Sequence, residues 1–66
     1  MTKRRDLGAH LRASGCELVR HGGRHDIWRN METDKRSSVP RHTDIPRTTA
    51  AEICKQLGVS AIERGS

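Results

Sequence analysis

Two stretches of alternating residues meet at adjacent glycines, Gly22 and Gly23, and no other feature of the 66-residue chain constrains its fold as much. From Cys16 to His21, the residues Cys16, Leu18 and Arg20 fall on one side and Glu17, Val19 and His21 on the other. From Arg24 to Asn30, His25 and Ile27 lie opposite to Asp26 and Trp28. A period of two is the mark of a strand, and paired glycines tolerate the positive φ angles of a two-residue hairpin turn. A loop of Gly22 and Gly23 alone would set Leu18 across from Ile27 and Arg20 across from His25.

The flanking segments supply what such a hairpin needs to bury a face. Residues 3–14 place Leu7 and Leu11 four apart, helped by Ala9 and Ala13, with Lys3, Arg4, Arg5 and Arg12 on the other side. This is a short amphipathic helix, which Thr2 can cap and Gly15 can close. It is too short to stand alone, so its leucine stripe must pack on something. Met31 to Arg36 is polar and reads as a turn, and Ser37 to Pro40 as a third strand with Pro40 at its end or edge. After a loop from Arg41 to Thr48, Thr49-Ala50-Ala51-Glu52 has the form of a capping box opening a second helix. Ile53 and Leu57 stripe that helix, Gly58 stops it, and Val59 can fold back on Cys54 in a Schellman contact. Ser60 to Glu63 repeats the capping pattern for one further turn. The predicted order is helix, three antiparallel strands, helix: an α+β arrangement with one sheet face covered.

At this length a chain buries roughly 60% of its unfolded surface, which predicts one domain over residues 1–66 and no large cofactor pocket. No cofactor is expected. Leu, Ile and Val make up 11 of 66 residues and Phe is absent, so the core is small and its stability marginal. No apolar run is long enough to span a membrane, and no apolar stretch follows the basic N-terminus as a secretory signal would require. A cytoplasmic protein is expected. Cys16 and Cys54 stand far apart, outside any CxxC, and the four histidines (His10, His21, His25, His42) do not complete a zinc-ligand spacing. Both thiols read as small buried hydrophobes, and no metal site is predicted.

Thirteen Lys and Arg against eight Asp and Glu give a net charge of +5, a balance that favours a polyanionic partner. The cations concentrate at Lys3, Arg4 and Arg5 and again at Arg41, His42 and Arg47, with Arg20 and Arg24 on the hairpin. Trp28 is the one aromatic residue, too few for a platform that reads single strands by stacking. A backbone contact through charge fits better. His25, just after the glycine turn, would be fixed at the rim of a sheet yet reachable. Cutting RNA without metal needs a base for the 2′-hydroxyl, an acid for the 5′-oxygen and a cation beside the phosphorus. Histidine suits the proton work, and Arg20, Arg24 or Arg41 can stabilise the charge. The same residues also suit a non-catalytic module that binds double-stranded RNA or DNA.

The run from Gly15 through Arg20, Gly23, Arg24 and His25 to Trp28 resembles the HicA (YcfA-like) toxin family, whose pattern here is G-F-x-x-x-R-x-x-G-S-H. Val39-Pro40-Arg41-His42 resembles the family's V-P-x-H strand end, and Ile45-Pro46 through Gly58-Val59 its closing helix. The resemblance implies a double-stranded-RNA-binding-domain-like αβββα fold. It also implies the toxin of a type II toxin–antitoxin module: a metal-independent mRNA interferase neutralised by a HicB antitoxin, with operator DNA bound only through the antitoxin complex. It carries the family's catalytic histidine onto His25. Two positions depart from the pattern: Arg24 replaces the usual Ser beside that histidine, and Cys16 the usual Phe. An arginine at position 24 either adds a phosphate contact or lowers the basicity of His25.

Overall fold

The computed structural model describes residues 1–62 and has the predicted α+β order, with one addition. The elements are β1 (Thr2–Lys3), α1 (Arg4–Ala13), β2 (Cys16–His21), β3 (His25–Asn30), β4 (Arg36–Pro40), β5 (Asp44–Ile45) and α2 (Arg47–Leu57). Strands β2, β3 and β4 form an antiparallel sheet in that order, and both helices pack on one of its faces. This is the helix, three-stranded sheet, helix arrangement of double-stranded-RNA-binding-like domains. The addition is a two-residue antiparallel ladder between β1 and β5, extended by the Arg4 amide donating to Thr43 O at 2.8 Å. Strands of two residues show no alternation, so the sequence pattern cannot announce them.

The core is the set of residues that periodicity places inward. Leu7 and Leu11 of α1, and Ala50, Ile53, Cys54 and Leu57 of α2, close on Cys16, Trp28, Val39 and Ile45. Burial lifts the ionisation of both thiols above the ordinary value of 9.0, so Cys16 and Cys54 behave as the expected neutral hydrophobes.

Several local expectations are corrected. Thr2 lies in β1 and does not cap α1; Lys3 takes the cap position without a side-chain bond. Helix α2 starts at Arg47 behind Pro46, ahead of the Thr49 box, because its buried stripe begins at Ala50 and needs the preceding turn. The Ala50 amide donates to Pro46 O at 2.9 Å, opening the helix without a side-chain cap. Its far end matches expectation: Gly58 is left-handed at φ 72°, and the Val59 amide donates to Cys54 O at 3.0 Å. The further turn expected from Ser60 does not form over 60–62, and Glu63 lies outside the described residues.

The hairpin register also differs. Leu18 pairs with Trp28, Arg20 with Ile27 and His21 with Asp26, because a bulge leaves Val19 without a partner. The closing turn is shifted: the Gly22 amide donates to His25 O at 3.0 Å, which places Gly23 and Arg24 at the tip. Neither glycine takes a positive φ. Gly22 is needed for proximity, since a Cβ there would stand 2.5 Å from the His25 carbonyl oxygen. Leu18, 37% exposed, therefore shares the helix side with Trp28, while Ile27 lies half-buried on the open face, so the two are not facing partners.

Candidate functional site

Alternation along β3 separates two chemistries. Asp26, Trp28 and Asn30 point into the helix side and are buried, while His25, Ile27 and Arg29 point away from it. His25 is the first residue of β3, exposed, with Pro40 beside it on β4. Arg20 pairs with Ile27 and therefore shares the open face with His25, one step along the ladder, while Arg24 sits exposed at the tip. Arg20, Arg24 and His25 thus lie at the turn end of the hairpin, Arg20 and His25 on its open face.

The remaining basic candidates divide. The β1–β5 ladder brings the two basic clusters of the sequence, around residues 3–5 and 41–47, to one end of the molecule. Lys3, Arg4 and Arg5 line a shallow hollow there with Thr43. Both helices also begin at this end, α1 with Arg4 and Arg5 and α2 with Arg47, and α2 has no acidic residue in its first turn. Cations at helix N-termini oppose the macrodipole by about 0.3–1 kcal/mol each. A surface that tolerates them is suited to an anion, whose charge both the dipoles and the side chains attract. His42 is exposed in the adjoining loop. Lys3 is shared with Asp44, at 3.1 Å.

Arg4 and Arg41 are engaged by a residue that the sequence reading did not single out. Asp26, 6% exposed on the helix side of β3, has Arg41 Nε at 3.7 Å, Arg4 Nη1 at 3.9 Å and His21 Nδ1 at 3.0 Å. Its Oδ1 nonetheless receives no aligned hydrogen bond. His21 is the one histidine ring set against a carboxylate among the described residues. The signal that would have found this cluster is the pairing of His21 with Asp26, which only the Val19 bulge creates. Trp28 is 5% exposed, beneath Gly8 and with the Arg12 guanidinium 5.0 Å from its ring centroid, so the single aromatic residue is part of the core and offers no base platform.

Among the described residues no three His, Cys, Asp or Glu side chains converge as a metal site would require, and no helix is long and apolar enough to cross a membrane. No curated protein and no solved structure matches the chain. A family model described as HicA toxin of bacterial toxin–antitoxin systems matches residues 4–59, from the first residue of α1 to just past the left-handed cap of α2. That span holds the hairpin, the rim histidine and nearly all of the core, and the chain belongs to the HicA toxin family.

Proposed function

We propose that this toxin is an mRNA interferase that cuts RNA by transesterification, with His25 moving the protons. The observation that carries the reading is the place of His25: exposed at the rim of the uncovered sheet face, with Arg20 on the same face and Arg24 next to it in sequence. In this mechanism a base removes the 2′-hydroxyl proton, the 2′-oxygen attacks phosphorus, and the P–O5′ bond breaks as an acid protonates the departing oxygen. The products are a 2′,3′-cyclic phosphate and a 5′-hydroxyl. Arg20 and Arg24 stabilise the charge gathering on the non-bridging oxygens. Lys3, Arg4, Arg5, Arg41, His42 and Arg47 hold the flanking phosphates in some combination, and the step needs no divalent metal. A HicB-type antitoxin silences the toxin by covering the His25 rim, and operator DNA is reached only through that complex. The working compartment is the cytoplasm, where mRNA and antitoxin meet.

The test is cleavage of a defined RNA in EDTA by the parent, His25→Ala, His21→Ala and His42→Ala. The reading predicts a loss of about 10²–10⁴-fold for His25→Ala, with RNA affinity retained, and no cleavage when the 2′-hydroxyl at the cut is replaced by hydrogen. Two other outcomes decide against it. If His21→Ala is inactive and His25→Ala is not, the proton work belongs to the imidazole that faces Asp26. If none of the three histidines matters, the chain is a binding module.

A further inference from the structure

The turn that presents His25 is built from Gly22, Gly23 and Arg24, a segment with little intrinsic stiffness. Catalytic groups have to be held within about 0.5 Å of their working position, so something outside the turn has to fix it. The structure contains such a device on the side of the sheet opposite to His25. Arg41, the residue after β4, donates from its backbone amide to Arg24 O at 3.3 Å and from Nη1 to Gly22 O at 3.0 Å. One residue therefore grips both ends of the tip. Its side chain crosses from the β4 end of the sheet to the β2 end, passing behind the start of β3.

The strap is anchored by charge. Arg41 Nε lies 3.7 Å from Asp26 Oδ1, and that carboxylate also faces His21 and Arg4. Asp26 follows His25 directly in β3, so the anchor and the presented imidazole belong to consecutive residues on opposite faces. A carboxyl group this buried, with an oxygen lacking an aligned donor, is expensive for a core this small. A neutral residue at position 26 would pack at lower cost. A buried polar group that is retained despite incomplete hydrogen bonding calls for a role beyond packing.

We propose that Asp26 and Arg41 are positioning residues that strap the Gly22–Arg24 turn and thereby set the place of His25; this rests on the reading of His25 as the proton-transfer group. Arg41 then acts through the backbone of the turn, and of the cations named for the flanking phosphates it is the one whose main work lies elsewhere.

The test is steady-state cleavage of a defined RNA by Arg41→Ala, Arg41→Lys, Asp26→Asn and His25→Ala, with amide hydrogen exchange at Gly22 and Arg41 in the first three. A strap predicts that kcat falls about 10- to 100-fold in Arg41→Ala and Asp26→Asn, with KM within about twofold of the parent. Exchange at Gly22 should quicken in both. Arg41→Lys should recover part of kcat, since an ammonium can still donate to Gly22 O. A rise in KM at unchanged kcat in Arg41→Ala would make Arg41 an RNA contact and overturn the proposal. Parent-like kcat in both variants beside an inactive His25→Ala would overturn the strap alone. An active His25→Ala would instead overturn the reading on which it rests. Arg41 is on the surface, so Arg41→Ala keeps the proposal open to refutation even if Asp26→Asn does not fold.

Discussion

The two ends of strand β3 each place a polar side chain in the covered side of the sheet, and they treat it in opposite ways. At the far end Asn30 is 3% exposed and neutral. Its Nδ2 donates to Leu57 O at 2.8 Å, closing the end of α2, and its Oδ1 accepts from the Glu32 amide at 2.8 Å and the Thr33 amide at 3.3 Å. Both its polar atoms are bonded, and the bonds organise the 31–35 turn, where Asp34 takes φ 66°. At the near end Asp26 faces two guanidinium groups and the His21 imidazole and is still short of an aligned donor. The Asn30 end is built as a small domain builds a joint. The Asp26 end holds charge together at some cost, beneath a turn of two glycines and an arginine. Stability is concentrated at one end of the strand and the proposed chemistry at the other.

Substitutions at the two ends should separate these roles. The largest stability effect belongs to the Asn30 end: Leu57→Ala, at a fully buried site, should cost about 2–5 kcal/mol in denaturant unfolding. Because the core has few residues, a loss of that size is a large share of the total. Asn30→Ala should cost about 1–3 kcal/mol, since it strands the Leu57 carbonyl and two turn amides. Equal losses at Asp26→Asn and Asn30→Ala would erase the contrast between the two ends.

At the charged end the readout is binding. RNA affinity of the inactive His25→Ala protein should fall with salt at a log–log slope of about −0.7 per neutralised phosphate. Replacing Arg5 or Arg47, which make no ion pair among the described residues, should each flatten that slope by about one phosphate's worth. A slope unmoved by either change would remove the helix N-termini from the RNA surface.

The smallest effect is alkaline. The unfolded chain loses its thiol protons near the ordinary 9.0, whereas the folded chain keeps them to higher pH. The unfolded state therefore binds fewer protons above that point, and stability contributed by the neutral thiols declines as pH rises beyond 9. Below about pH 8 the thiols should leave stability flat. A melting curve series from pH 7 to 10 on the parent and Cys54→Ala checks this, the decline being shallower in the variant.

How much of this was legible from residues alone follows the periodicities. Leu7, Leu11, Ile53 and Leu57 recur at helical spacing, and Trp28 alternates with His25 and Ile27 along β3, so both helices, the hairpin and the exposure of His25 follow from the pattern. The third strand needed only Val39 and the end at Pro40. What the pattern cannot carry is a change of register. The bulge at Val19 moves His21 across from Asp26, and no spacing rule announces it. The Asp26–Arg41 contact joins residues far apart in sequence and depends on that register and on strand order. The β1–β5 ladder, which merges two basic clusters read as separate, is too short to have a period.

The division of labour along β3 is tested most directly by measuring cleavage rate and melting temperature on the same preparations of His25→Ala and Asn30→Ala. The account predicts a crossed result. His25→Ala should lose about 10²–10⁴-fold in cleavage and melt with the parent, because its side chain lies on the exposed face. Asn30→Ala should melt several degrees lower and, assayed well below its midpoint, cut RNA at the parent rate. A His25→Ala protein that still cuts RNA, or one that loses activity only in step with its melting temperature, would contradict the account.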